Sequence, residues 1–170
     1  MSLIQMTWEQ YIHRMNQILN HFQERNYRPD IVVGIARGGL LPMVSISGYY
    51  KIREVGIVFM RKTATEDAFS PMLPEAVCLG YGIPFSIDGR SILLVDNIIQ
   101  TGQTVKGASN ILLGLGAKSI VIASICKHKG IYDFDYYSPM EVEEDDWVVF
   151  PWDNLLSGNS LSNPEGQTNL

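Results

Sequence analysis

The run SILLVDNIIQTGQT, residues 91 to 104, constrains the fold more than any other part of the chain. Ile92, Leu93, Leu94 and Val95 form an apolar stretch too short for a helix and suited to a strand buried on both faces. The sequence turns polar at Asp96 and Asn97, passes Ile98 and Ile99, and reaches Gln100-Thr101-Gly102-Gln103-Thr104. A helical stretch follows, predicted over residues 102 to 115. An acidic residue at the carboxyl end of a buried strand, then a Thr/Gly loop opening a helix, is how α/β sheets hold phosphorylated ligands. The carboxylate suits a metal ion or sugar hydroxyls. The glycine lets the backbone approach a phosphate, and loop N–H groups and threonine hydroxyls donate to it.

The rest of the chain alternates in the same way. Thr7 and Gln10 have the spacing of a capping box. Trp8, Tyr11, Ile12, Met15, Ile18, Leu19 and Phe22 then recur at helical spacing, giving one apolar face that ends before Arg28-Pro29. Residues 31 to 35 read as a second buried strand and residues 40 to 50 as a helix, with Pro42 tolerated in its first turn. Strands are expected over residues 54 to 60, 118 to 125 and 147 to 150. Residues 61 to 90 include Pro71, Pro74 and Pro84 and show no convincing long element, which in a compact domain marks a functional or mobile segment. The predicted class is α/β, a mostly parallel twisted sheet flanked by helices. Residues 1 to 156 make a single domain, and residues 157 to 170 a polar C-terminal tail.

Composition narrows the function classes. A net charge of −5 argues against a general nucleic-acid surface, so no nucleic-acid partner is expected. No apolar stretch is long enough to span a bilayer, and the N-terminus lacks the basic and apolar regions of a signal peptide. Cys78 and Cys126 lie far apart with no metal-type spacing, which fits free thiols in a reducing cytoplasm. His13, His21 and His128 form no metal cluster by their spacing.

A second loop agrees with the first. Gly34-Ile35-Ala36-Arg37-Gly38-Gly39 closes its own strand, and parallel strands would bring it to the same sheet edge as Asp96. Glycines beside an arginine suit a tight turn that aims N–H groups and a guanidinium at an anion.

Asp96, Ile98, Ile99, Thr101, Gly102 and Thr104 resemble the signature of the type I phosphoribosyltransferases, which bind phosphoribosyl pyrophosphate (PRPP). That signature is an apolar strand, two acidic residues, two apolar residues, a variable residue and Thr-Gly-x-Thr. The Ala36-Arg37-Gly38-Gly39 form resembles the branch acting on 6-oxopurines. Lys127 and Trp147 fall where bacterial xanthine–guanine enzymes contact the 6-oxo group and stack on the base, and Pro151-Trp152-Asp153 matches the Pro-Trp-Asp or Pro-Trp-Glu that follows shortly in them. The resemblance implies a hood contributed by about residues 126 to 156. It implies that Gln100, Thr101, Gly102, Gln103 and Thr104 hold the 5′-phosphate, and that Ala36, Arg37 and Gly38 hold pyrophosphate. Asp96, with Asn97 beside it, would face the ribose and Mg²⁺, directly or through water, and Arg37 and Asp96 would be catalytic. Lys127, Trp147 and Val148 would hold the base by a donor to its carbonyl and by ring stacking. Trp152 reads as a core aromatic.

The implied reaction is purine salvage: transfer of phosphoribose to xanthine, guanine or hypoxanthine, with a nucleotide and pyrophosphate as products. A homo-oligomer, dimer or tetramer, is also implied. Asn97 departs from the family at the second acidic position. Gln100 stands where enzymes specific for 6-oxopurines usually carry Asp, and an amide cannot act as a base. Two alternatives fit the same residues: a PRPP- or nucleotide-sensing regulator without catalysis, and a transferase for another base.

Overall fold

The computed structural model describes residues 2–64, 71–130 and 136–153; the expected polar tail at 157–170 lies outside the described residues. In chain order the elements are β1 (Leu3–Gln5), α1 (Trp8–Glu24), β2 (Ile31–Ala36), α2 (Leu40–Tyr50), β3 (Val55–Thr63) and β4 (Met72–Gly82). They continue with β5 (Ser91–Ile99), α3 (Gln103–Gly114), β6 (Ser119–His128), β7 (Tyr136–Tyr137), β8 (Glu141–Val142) and β9 (Trp147–Val149). The main sheet has the order β4-β3-β2-β5-β6-β7, with β8 also paired to β6. Its neighbours run parallel except β3 and β4. No described helix is long and apolar enough to cross a membrane.

The central strand explains the continuous apolar run that opens its sequence. Leu93 and Val95 pack into a cluster with Ile18 and Phe22 of α1 and Ile46 of α2. Ile92 and Leu94 point the other way, among Val105, Ala108 and Leu112 of α3. Helices therefore cover both faces, and period-2 alternation carries no polar residue until the strand leaves the core. Each such side chain contributes roughly 1.5–3 kcal/mol by its burial.

The first helix forms as its cap predicts. Gln10 N–H donates to Thr7 Oγ1 at 3.2 Å, and Thr7 N–H donates back to Gln10 Oε1 at 2.9 Å. Tyr11, Met15, Ile18 and Phe22 are its buried face. Trp8 and Ile12, expected on that face, lie at its margin and are exposed. Trp8 instead meets the Trp152 ring, with centroids 6.3 Å apart.

Four features differ from the sequence reading. The strand expected to end at 95 continues to Ile99, and the one expected to end at 125 continues to His128, paired through Ile98↔Cys126 and Ile99↔Lys127. Hydrophobic patterning marks only the part of a strand inside the core, whereas the ladder is a backbone property and runs on beyond it. Residues 61 to 90, read as lacking a long element, contain β4. This antiparallel edge strand is mostly exposed, its register shifts at Phe59/Met60 and Arg61/Thr63, and Pro74 is tolerated because an edge leaves one side unpaired. Residues 65–70 of that segment lie outside the described residues. The fourth difference is β1, which pairs in parallel with β9 from Leu3↔Trp147 to Gln5↔Val149. The C-terminal strand is thus held by the start of the chain.

Candidate active site

Parallel pairing puts the carboxyl ends of β2, β5 and β6 on one edge of the sheet, where the chain turns into α2 and α3. A small polar cleft opens there, lined by Asp96, Gln100, Thr101, Gly102, Thr104 and, from β3, Lys62. Gly102 precedes α3 with φ 77°, a left-handed conformation that a side chain resists. Gly102 offers no side-chain cap, and α3 has no acidic residue in its first turn. The partial positive charge of that helix end therefore faces the cleft without a built-in anion.

Asp96 is buried at the inner wall of this cleft. Burial raises its carboxyl from 3.8 to about 7, opposed in part by the hydrogen bond it accepts. That bond runs from Asn97 N–H to Asp96 Oδ1 at 2.8 Å. A carboxyl poised near neutrality gains charge readily when a cation or hydroxyl donors arrive beside it. Among the described residues no group of three or more His, Cys, Asp or Glu could hold a metal. One carboxylate beside an open helix N-terminus nonetheless fits Mg²⁺, which is commonly bound by one or two carboxylates together with substrate phosphates.

The second loop adjoins the first through Asn97. Gly38 lies so close that a β-carbon there would stand 2.2 Å from Asn97 Oδ1. Ala36 is buried at the end of β2, and Arg37 is exposed just beyond it, joined by a cis peptide. The structure thus brings Ala36, Arg37 and Gly38 beside the end of β5.

The residues expected to hold a base lie on two other elements. Lys127 sits within β6, in register with Ile99 and so one strand away from the loop that follows it. Its Nζ donates to Tyr136 Oη at 2.8 Å and pairs with Glu141 Oε2 at 2.8 Å. Glu141 first, then Tyr136, holds the ammonium above its usual range. Trp147 is half-buried on β9, and its backbone N–H donates to the Ser2 carbonyl at 2.9 Å. The Val148 side chain is buried in the core, which leaves only its backbone for a ligand. Trp152 stacks on Phe150 with centroids 4.9 Å apart and meets Tyr11 edge-on, a core aromatic as read.

Lys62 is the cleft residue that sequence reasoning missed. It belongs to no motif, and its only signal was a position just past an apolar strand. Its Nζ donates to Gln103 Oε1 at 2.6 Å, to the Pro74 carbonyl at 3.0 Å and to the Leu73 carbonyl.

Known proteins share the sequence pattern and the fold. The family model of the phosphoribosyl transferase domain matches residues 8–156. Xanthine-guanine phosphoribosyltransferase of Cereibacter sphaeroides is 30% identical over 159 residues, covering 89% of this chain and 87% of that protein. The crystal structure of a purine phosphoribosyltransferase from Pyrococcus horikoshii superposes with a TM-score of 0.71 at 26% identity, covering 90% of this chain and 95% of that one. A Neisseria gonorrhoeae protein crystallised with bound ppGpp shares the fold at 18% identity, with a TM-score of 0.72 over 91% of this chain and 90% of that one. With its family match spanning nearly all the described elements, and its two loops meeting at one sheet edge, this chain belongs to the type I phosphoribosyltransferase family and is similar to its bacterial purine members.

Proposed function

We propose that the protein transfers the phosphoribosyl group of PRPP to a 6-oxopurine (xanthine, guanine or hypoxanthine) and releases pyrophosphate. The observation that carries this reading is the single cleft in which Asp96 stands beside the Thr101, Gly102 and Thr104 loop at the start of α3. In the reaction a ring nitrogen of the base bonds to C1 of the ribose while the bond from C1 to pyrophosphate breaks, and the base's imidazole-ring proton passes to water or to the departing pyrophosphate. Negative charge builds on the leaving group, where the Arg37 guanidinium and the N–H groups of its loop would neutralise it. Asp96 would accept from the ribose hydroxyls and so fix C1 in place. The 101–104 loop would hold the 5′-phosphate, Trp147 would stack on the base, and Lys127 would donate to its 6-oxo group. Mg²⁺, held by Asp96 and ligand oxygens, would supply further neutralisation of the pyrophosphate. The residues act by positioning and preorganised electrostatics.

Gln100 favours a second reading. It lines the cleft with an amide, which neither accepts nor delivers a proton. A chain with this site could bind PRPP or a nucleotide without turning it over. One assay separates the two readings: incubation with Mg-PRPP and guanine, xanthine, hypoxanthine, adenine, uracil or orotate, following pyrophosphate. Release with an oxopurine is expected. Saturable PRPP binding with no release for any base would establish the second reading. Arg37→Ala and Asp96→Ala should each lower turnover by about 10²–10³, or roughly 3–4 kcal/mol of barrier, without loss of folding. Near-normal turnover in either variant would refute its assigned role.

A further inference from the structure

Lys62 carries a full positive charge to the cleft, yet the three oxygens it meets are neutral. Two are backbone carbonyls of β4, Leu73 and Pro74; the third is the amide oxygen of Gln103. Gln103 is the variable residue of Thr-Gly-x-Thr and the first residue of α3. Its side chain is exposed. Three acceptors use all the donors of an ammonium, so an incoming ligand oxygen must replace one of them. The Gln103 amide is the one to yield, because it ends an exposed side chain that can turn to water, whereas the Leu73 and Pro74 carbonyls belong to the backbone of β4. A phosphate oxygen is also the stronger acceptor, because it meets the ammonium with a charge of its own where the amide oxygen is neutral.

We propose that Lys62 is a phosphate-binding residue of this site, held ready at the 101–104 loop by Gln103, which it exchanges for an oxygen of the ligand's phosphate. The inference rests on the reading that this loop binds a phosphomonoester. It assigns the positive side chain that completes a cradle otherwise made of N–H groups and hydroxyls. It also gives the Gln103 side chain a role that its place in the motif does not.

Calorimetric titration with ribose 5-phosphate tests this without base, metal or turnover. Wild type should bind, with an affinity that falls as salt rises, because an ammonium–phosphate contact is screened. Lys62→Met should weaken binding by about ten- to a hundredfold, the range for a hydrogen bond to a charged group, and should flatten the salt dependence. Lys62→Arg should recover most of the affinity. A merely structural role for Lys62 would not change the salt dependence. Lys62→Gln, which keeps N–H donors for the β4 carbonyls but removes the charge, gives the same comparison should the methionine variant not fold. Wild-type binding with no loss in either neutral variant overturns the role of Lys62 and leaves the phosphate loop standing. No binding of ribose 5-phosphate by wild type overturns the phosphate reading itself.

Discussion

Asn97 fills the space that a side chain at Gly38 would need: a β-carbon on residue 38 would come within 2.2 Å of Asn97 Oδ1 and 2.3 Å of its Cγ. The missing side chain is what lets the end of β5 and the Arg37 loop share one corner of the site. Gly38→Ala should therefore lower stability by about 1–3 kcal/mol through overpacking. Adding Asn97→Ala removes the obstructing amide and should restore most of the loss. Urea unfolding of the two single variants and the double variant measures the coupling, expected at about 1 kcal/mol or more. Simple additivity would show that the two residues do not compete for this space.

Gly102 meets a different restriction, its φ of 77° just ahead of α3. An L-residue held there is strained by roughly 1–2 kcal/mol, and asparagine tolerates the region better than alanine. Gly102→Ala should lower the unfolding free energy by about that amount, and Gly102→Asn by less. The order of the two urea midpoints checks the conformational cause, because a purely steric cause would make the larger asparagine worse.

Asp96 makes stability depend on pH in a definite direction. Burial raises its carboxyl from 3.8 to about 7. Between those values the folded chain keeps a proton that the unfolded chain has lost. Stability from this group is fully present below about pH 4 and is lost as pH rises through 7. Asp96→Asn cannot ionise, and its amide oxygen still accepts from Asn97 N–H. The variant should match wild type near pH 4 and exceed it near pH 8, by on the order of a few kcal/mol. Urea unfolding at both pH values tests this. Parallel pH profiles would mean that the carboxyl ionises as freely in the folded chain as in the unfolded one.

What was legible in the sequence follows from how each feature is encoded. Ile92 to Val95 announced a doubly covered strand because alternate residues enter two separate cores. Asp96 and the 101–104 loop were legible because they are contiguous, and a strand–loop–helix junction is local. Strand β4 was hidden, since an exposed edge with shifted register leaves no apolar period to read. The β1–β9 pairing was hidden for another reason: it joins residues 3–5 to residues 147–149, and nothing local in either stretch names its partner. Lys62 reaches Gln103 across 41 positions, a contact created only when β3 runs past the core to the start of α3. Residue types at the site were thus readable where chemistry and chain order coincide. Contacts made by the folding of distant strands were not.

Under the proposed function, Gln100 would decide how far the site goes toward chemistry. It is half-buried, lines the cleft, and follows Ile99, the last residue of β5. Gln100→Asp would place a carboxylate there, within the same cleft as Asp96 and the 101–104 loop. If proton transfer at the base limits the reaction, this variant should raise kcat with an oxopurine by about tenfold or more, toward the 10²–10⁴ that general acid–base catalysis supplies. The added charge also lies beside the 101–104 loop, so if that loop holds the 5′-phosphate, KM for PRPP should rise while kcat increases. Steady-state kinetics resolves the two effects, because a change confined to KM reports electrostatics at the phosphate and a change in kcat reports proton transfer. The gain should disappear as pH falls below the carboxyl's own titration, when the group is no longer a base. An unchanged kcat at every pH would remove Gln100 as the rate-limiting departure and leave Asn97 to account for any slow turnover.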